Sequence, residues 1–242
     1  MYGYCLRGQM DRARSIFDFM IDKSIEPDII CYNVLINGYC KKKKLAEAMQ
    51  MFREISQKRP KPNVVTYNTI LQGLFEVGRI GSVKQYGLVE EAMSYFNKLE
   101  IKRVSRDIGF YNGVINGLCQ NGELDKAHAI FEKLSIMGLL PNLRTYNTRI
   151  TGFCLEGLLD EAKAMIRKMG DNGYLPNEVT YNVIVQGFLR YSKIGEMTTF
   201  MKEMAGKGFS FDATTTELLI NIIRKNPSVL DMMPHFHSKT KK

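Results

Sequence analysis

The chain has 242 residues, of which 45% are apolar and 24% are charged, and these ordinary proportions exclude wholesale disorder. Lysine and arginine exceed aspartate and glutamate by 34 − 25 = 9, which indicates an acidic partner, either a nucleic acid or an anionic membrane surface. No apolar run reaches the roughly 18 residues that a membrane-spanning helix needs, so we expect no membrane protein.

A Tyr-Asn pair followed by apolar residues recurs five times along the chain. The tyrosines are Tyr32, Tyr67, Tyr111, Tyr146 and Tyr181, at spacings of 35, 44, 35 and 35 residues. A glycine six residues after each tyrosine keeps the same rhythm. When several aligned positions, here called columns, recur with one period, they indicate an internal repeat. The longer spacing holds 44 − 35 = 9 extra residues, the insertion 80–88, in a turn between two helices of one unit.

Each repeat is predicted to form two short helices. In the unit that begins at residue 108, apolar residues recur at helical spacing from Tyr111, and Gly122 marks the helix end. Apolar residues from Leu124 to Leu134 then form the single stripe of an amphipathic helix. Neither helix can bury its apolar face alone, so the pairs are expected to stack into a solenoid.

The repeat columns also predict the division of the chain into units. These are a partial repeat at 1–28, complete repeats at 29–63, 64–107, 108–142, 143–177 and 178–212, a degenerate capping repeat at 213–226, and a disordered basic tail at 227–242. The first unit lacks its Tyr-Asn start, and the last has Thr216 and Glu217 there. We expect the incomplete first unit to expose apolar surface that favours self-association.

Catalytic and metal-binding patterns do not emerge from the sequence. It contains no C-x-x-C pair, no glycine-rich phosphate loop and no arguable Ser-His-Asp grouping, so we predict no enzyme, no metal site and no cofactor. Four of the five cysteines share one repeat column with Phe75 and Leu189, which predicts apolar packing instead of thiol chemistry. These cysteines are Cys5, Cys40, Cys119 and Cys154.

The repeat resembles a known helical family. The 35-residue period, the T-Y-N-x-x-I-x-G-x-C core, the G-x-L-D/E-x-A turn and the closing P-D or P-N resemble the pentatricopeptide repeat over residues 1–226. The segment YNGVINGLCQNGELDKA, among others, is most similar to the plain-repeat (P) subclass of the plant proteins of this family, and within it to the fertility-restorer-like group. The resemblance implies an all-α fold, a right-handed α-solenoid of stacked antiparallel helix pairs, which binds single-stranded RNA at one base per repeat.

In that family the base is read by the residue after the tyrosine and by the residue after the closing proline. Carried onto this chain, the resemblance implies five reader pairs, which are Asn33 with Asn63, Asn68 with Asp107, Asn112 with Asn142, Asn147 with Asn177, and Asn182 with Asp212. Arg106 and Phe211 replace the proline in two of them. A lone Asn is more often a helix cap, but five in one column favour base reading.

By resemblance, an Asn–Asp pair favours uracil, and an Asn–Asn pair favours cytosine with uracil second. The implied site is 5′-(C/U)U(C/U)(C/U)U-3′, with the N-terminal repeat towards the 5′ end. The family also stacks bases on an apolar residue two positions before the tyrosine, which Ile30, Val65 and Val179 match and Gly109 and Arg144 do not.

Phosphate contacts are expected near the end of each first helix. Lys41 and Arg190 fit that role, whereas Glu76, Gln120 and Leu155 occupy the equivalent positions and do not. The RNA backbone is therefore neutralised at few points, and the salt dependence of binding is expected to be modest.

The resulting expectation is a non-enzymatic RNA-binding protein that acts on organellar transcripts. By resemblance the organelle is the mitochondrion, with the plastid as the runner-up, and the role is RNA processing or stability, including recruitment of a separate nuclease or other RNA-processing protein. Two alternatives remain at this point: a protein-interaction scaffold on the concave face, and a truncated, non-functional gene copy.

Overall fold

The computed structural model describes residues 1–57, 60–78, 86–101 and 107–232. Within these ranges the chain forms thirteen α-helices and one 3-10 helix, with no β-strand. The α-helices are α1 (Tyr2–Leu6), α2 (Met10–Asp22), α3 (Ile29–Lys41), α4 (Leu45–Gln57), α5 (Val64–Gly78), α6 (Tyr86–Ile101), α7 (Ile108–Gln120), α8 (Leu124–Ile136), α9 (Leu143–Leu155), α10 (Leu159–Asp171), α11 (Glu178–Arg190), α12 (Ile194–Gly206) and α13 (Ala213–Lys225). The 3-10 helix is Pro227–Met232.

The helices alternate in the order that the repeat requires. Helices α3, α5, α7, α9, α11 and α13 each begin at the first residue of a sequence repeat, and α4, α6, α8, α10 and α12 form the second half of the complete repeats. The all-α helical-repeat fold predicted from the sequence is thus confirmed. Residues 80–85 of the insertion lie outside the described residues, and residues 86–88 form the beginning of α6.

The chain divides into two compact units, Met1–Asn121 and Gly122–Lys242. In the first unit α3 packs against α4 and α5, and α5 packs against α6 and α7. In the second unit α9 packs against α10 and α11, and α11 packs against α12 and α13. Within each unit, therefore, a first helix contacts both its own partner and the first helix of the next repeat, as in a helical solenoid.

Aromatic pairs join one repeat to the tyrosine of the next. A phenylalanine of the second helix meets that tyrosine edge to face, with ring centroids 5.0–5.9 Å apart. The pairs are Phe17–Tyr32, Phe52–Tyr67, Phe96–Tyr111 and Phe131–Tyr146. Edge-to-face contact is a favourable geometry for aromatic rings, which explains the tyrosine at this position.

The glycine column lets neighbouring first helices approach closely. A Cβ atom on Gly187 would lie 2.7 Å from Cys154 Sγ, and one on Gly73 would clash with Cys40 Sγ. Cys40, Cys119 and Cys154 are buried, and Cys5 is half-buried. The prediction that this cysteine column serves apolar packing is thereby confirmed for the three buried members.

Among the described residues, turns between the two helices of a pair contain a left-handed residue. Gly122 and Gly157 have φ values of 75° and 76° there, a conformation that costs glycine little. Lys43 and Ser192 occupy the same place in other repeats with φ values of 58° and 55°. The repeat thus keeps the turn geometry even where the residue type is less suited to it.

The predicted disordered tail is wrong for its first residues. Residues 227–232 form the 3-10 helix, which packs against α13 and buries Val229. A short helix without amphipathic periodicity gives little sequence signal, and its burial against α13 explains its order. Residues 233–242 lie outside the described residues.

At the N-terminal end of the chain, the large hydrophobic residues Tyr2 and Leu6 in α1 are 60% and 63% exposed.

In the described parts of the chain, no helix combines the length and the apolar character needed to cross a membrane. The same residues contain no group of three or more His, Cys, Asp or Glu side chains able to hold a metal ion.

Candidate nucleic-acid interface

The residue after the closing proline lies immediately before the next first helix. Four of the predicted reader residues are helix N-caps there, because a side-chain oxygen accepts a hydrogen bond from the backbone N–H three residues later. The caps and their distances are Asn63 to Thr66 at 3.1 Å, Asn142 to Thr145 at 3.1 Å, Asn177 to Thr180 at 3.1 Å, and Asp212 to Thr215 at 2.7 Å. Asp107 precedes α7 without a side-chain capping bond. This reader column therefore has a structural role in the chain itself.

A threonine completes three of these caps. The hydroxyl groups of Thr66, Thr145 and Thr180 accept hydrogen bonds from the backbone N–H of the preceding N-cap residue at 3.1–3.2 Å. The reciprocal pair of bonds is a capping box. This threonine has no predicted role, although the spacing Asn-x-x-Thr before an apolar run is a usable signal for a cap.

The structure brings two of the predicted reader pairs together. In one pair, Asn147 Nδ2 lies 3.5 Å from Asn177 Oδ1, and Asn147 Oδ1 accepts a 2.7 Å hydrogen bond from the Thr180 hydroxyl group. In the other, Asn182 Oδ1 accepts hydrogen bonds from the Asp212 backbone N–H at 2.9 Å and from the Thr215 hydroxyl group. The asparagine of one repeat is thus bonded to the cap of the next.

The side-chain amide of Asn182 makes four hydrogen bonds within the chain. Besides the two bonds to its oxygen, its Nδ2 donates to the backbone oxygens of Glu178 at 2.9 Å and Ser210 at 3.0 Å. The four bonds use the full capacity of the amide group, and the residue as a whole is 3% exposed. Hydrogen bonding to a base would require one of these bonds to be exchanged.

Asn33, in the first predicted pair, has a different environment. Among the described residues Asn33 makes no hydrogen bond to Asn63, and its Oδ1 is buried without a hydrogen-bond partner. Asn68 is half-buried and Asn112 is buried.

The predicted stacking residues share one environment. Ile30, Val65 and Val179 lie in the first turns of α3, α5 and α11 and are 64%, 57% and 54% exposed. Covering these exposed aliphatic side chains with a flat ligand removes apolar surface from water, which is favourable.

A small pocket forms at the fifth complete repeat. It has a volume of about 210 Å³ and is lined by Glu178, Val179, Asn182, Ser210, Phe211 and Asp212. The residues predicted for stacking and for reading at this repeat therefore meet at one opening.

The predicted phosphate-binding residues lie at the other ends of the first helices. Lys41 is in the last turn of α3 and Arg190 in the last turn of α11, and both are exposed. A cation in the last turn also stabilises the helix dipole. Their location is open to solvent, as a phosphate contact requires.

Tyr181, next to Asn182 in sequence, is fixed by a bond to the second helix of its repeat. Its hydroxyl group donates to Glu203 Oε2 at 3.1 Å. Burial, followed by this bond and the carboxylate charge, raises the pKa of Tyr181 to about 12. The hydroxyl group therefore stays protonated at neutral pH and remains a donor.

Comparisons with known proteins support the repeat assignment. A model described as "PPR repeat family" matches residues 1–38, 27–76, 106–155 and 141–190, and one described as "PPR repeat" matches residues 179–209. Among curated protein sequences, none matches the chain significantly.

Solved structures share the fold at low sequence identity. The pentatricopeptide repeat protein PPR10 in complex with an 18-nucleotide psaJ RNA element is 18% identical, with a TM-score of 0.53, over 93% of this chain and 42% of that one. PPR10 from maize is 21% identical, with a TM-score of 0.55, over 98% of this chain and 38% of that one. The chain thus spans less than half the length of these proteins. The PPR domain of Arabidopsis thaliana protein-only RNase P 1 in complex with tRNA is 16% identical, with a TM-score of 0.55, over 79% of this chain and 95% of that one.

Proposed function

Because this chain belongs to the pentatricopeptide repeat (PPR) family, we propose that it binds single-stranded RNA, with one base at each complete repeat. The observation that carries the proposal is the pocket of the fifth repeat, where an exposed aliphatic residue, Val179, lies beside the polar pair Asn182 and Asp212. An apolar face and a polar pair at one opening match the face and the edge of a base.

The proposed site is the pyrimidine-rich sequence 5′-(C/U)U(C/U)(C/U)U-3′. An asparagine amide both donates and accepts hydrogen bonds, so it can match a Watson–Crick edge, and an aspartate accepts from a donor or through a water molecule. Contact between Asn147 and Asn177, and between Asn182 and Asp212, supports reading by pairs of residues across neighbouring repeats.

The proposed protein has no catalytic activity of its own. It occupies a stretch of an organellar transcript, in the mitochondrion or alternatively the plastid, and thereby blocks exonucleases, remodels local RNA structure or recruits a separate nuclease. The net charge of +9 supports a general attraction to RNA, while the uncharged Asn columns supply the base preference.

Five readers limit both affinity and selectivity. Each mismatched base typically costs about 1–3 kcal/mol, and five positions do not define a unique site in a large transcriptome. If only Lys41 and Arg190 contact phosphates, the logarithm of the binding constant falls with the logarithm of salt concentration at a slope of roughly −0.7 per contact.

The test is direct binding to four RNAs whose central five nucleotides are uracil, cytosine, adenine or guanine, at one fixed salt concentration. We expect the uracil and cytosine RNAs to bind more tightly than the two purine RNAs. Equal affinity for all four overturns the base preference and leaves RNA binding, whereas no measurable binding to any of them overturns the proposed function.

A further inference from the structure

The closing proline of the fifth complete repeat is replaced by an aromatic residue, Phe211. Pro62, Pro141 and Pro176 occupy the same place in other repeats, and Arg106 occupies it in the second. Phe211 is half-buried and lines the pocket that also holds Val179 and Asp212. A phenylalanine ring offers a flat π face, which neither proline nor an aliphatic residue provides.

We propose that Phe211 is a base-stacking residue, and that the last base of the bound RNA, at its 3′ end, contacts Phe211 and Val179 in this pocket. The inference rests on the proposed RNA binding and adds to it one specific ligand position and one residue.

The backbone on both sides of Phe211 is anchored to α11. Ser210 N–H donates to Glu178 Oε1 at 2.7 Å, and Ser210 O accepts from Asn182 Nδ2 at 3.0 Å. On the other side, Asp212 N–H donates to Asn182 Oδ1 at 2.9 Å. Three hydrogen bonds therefore hold the loop in place, and a preorganised residue loses less entropy when a ligand binds.

The polar groups of the pocket are already bonded within the chain. Asn182 uses its full hydrogen-bonding capacity, and Asp212 Oδ1 accepts from Thr215 N–H and from Gln186 Nε2 at 2.7 and 3.1 Å. A ligand that keeps these bonds intact gains its affinity from the apolar side chains. Stacking on Phe211 is thus the main new interaction that the pocket offers.

The charges of the pocket indicate which part of an RNA enters it. The carboxylates of Glu178 and Asp212 both line the opening, and a phosphate group placed there would be repelled. An uncharged planar ring is not repelled. The occupant is therefore the base of a nucleotide, with its phosphates kept outside.

The experiment measures binding of uracil-centred RNA to the Phe211→Ala, Phe211→Leu and Phe211→Tyr variants. The tyrosine variant keeps a ring and the leucine variant keeps apolar bulk. Phe19→Ala is the matched control, because Phe19 is 58% exposed on α2 in the other compact unit. Thermal unfolding of each variant checks that it is folded.

We expect Phe211→Ala to weaken binding roughly 5- to 150-fold, the range for loss of one base–aromatic stack. Phe211→Leu should lose most of the same affinity, whereas Phe211→Tyr and Phe19→Ala should bind as the unmodified chain does. A second RNA, abasic at the fifth position, should bind Phe211→Ala and the unmodified chain equally, while one abasic at the first position should retain the difference.

Two results overturn the inference while leaving RNA binding in place. One is an unchanged affinity of Phe211→Ala, and the other is the same loss with the RNA that is abasic at position five. Failure of the unmodified chain to bind any RNA is a different result, which overturns the proposed function and this inference together.

Discussion

The hydroxyl group of Thr180 donates a 2.7 Å hydrogen bond to Oδ1 of Asn147, 33 residues earlier in the chain. The hydroxyl oxygen of Thr180 also accepts a hydrogen bond from the backbone N–H of Asn177 at 3.2 Å and so belongs to the capping box of α11. One side chain therefore links the start of a helix to the predicted reader residue of the preceding repeat. Thr215 makes the corresponding bond to Asn182.

Replacing Thr180 by valine should destabilise the chain by about 1–2 kcal/mol. The substitution keeps the shape of the buried side chain of Thr180, a residue that is 1% exposed, but removes the hydrogen bonds of the hydroxyl group to Asn147 and Asn177 and leaves Asn147 Oδ1 without this donor. Chemical unfolding followed by circular dichroism measures the change.

Thr151→Val is the matched control for this prediction. Within the described part of the chain, the hydroxyl group of Thr151 bonds only to the backbone oxygen of Asn147 in the same helix, at 2.8 Å, a contact that adds little stability. Equal loss of stability in the two variants would show that the bond between repeats contributes no more stability than the bond within one helix.

Substitutions of Asn177 should separate its capping role from base reading. Asn177→Asp keeps the oxygen that accepts the Thr180 N–H and adds a negative charge at the start of α11, so stability should be retained. Asn177→Ala should cost about 1 kcal/mol because the cap is lost.

For RNA, Asn177→Asp turns the fourth reader pair into an Asn–Asp pair, and we expect the preference at the fourth base to move from cytosine towards uracil. Binding of two RNAs that differ only at that base measures the shift. A ratio of affinities that stays the same in the folded variant would contradict the assigned role of Asn177.

The start of every first helix was predictable from the sequence, because the repeat columns and the apolar periodicity carry the same period. The chemistry of the reader columns was less predictable. Helix capping by Asn63, Asn142 and Asn177 follows from the local Asn-x-x-Thr pattern, but the bond from Thr180 to Asn147 joins residues of two repeats and depends on their packing.

The 3-10 helix after α13 shows another limit of sequence reasoning. Pro227 follows the last apolar stripe, and six residues give no detectable period, so the sequence predicts a disordered tail for this segment. Its order comes from burial of Val229, which is 1% exposed, against the preceding helix. Tertiary packing of this kind has no local signature.

Replacing Gly187 by alanine should destabilise the second unit by about 1–3 kcal/mol. The added Cβ would lie 2.7 Å from Cys154 Sγ and 2.9 Å from Cys154 Cβ, which forces α9 and α11 apart. Gly113→Ala is the control, because a Cβ on that mid-helix glycine meets nothing within 4 Å.

The control should gain up to about 1 kcal/mol from the better helix propensity of alanine. Thermal unfolding therefore should show shifts of opposite sign for the two glycines. A gain of stability in Gly187→Ala would mean that the close approach of the two helices is not required.

The cysteines should differ in reactivity according to burial. Desolvation raises the pKa of Cys40 and of Cys154 to about 12, and a neighbouring carboxylate adds to the rise for Cys40. At pH 8 about one such thiol in ten thousand is ionised, and the thiolate is the reactive form. Cys31 is only half-buried, and burial raises its pKa without the same loss of access.

Brief treatment of the folded chain with iodoacetamide at pH 8, followed by mass spectrometry, should therefore label Cys31 before Cys40 and Cys154. Raising the pH should increase labelling of Cys31 first, since its thiolate fraction grows while the buried thiols stay protonated and shielded. In urea all three should react at similar rates. Rapid labelling of Cys154 in the folded chain would show that α9 and α11 separate readily, contrary to the tight packing at Gly187.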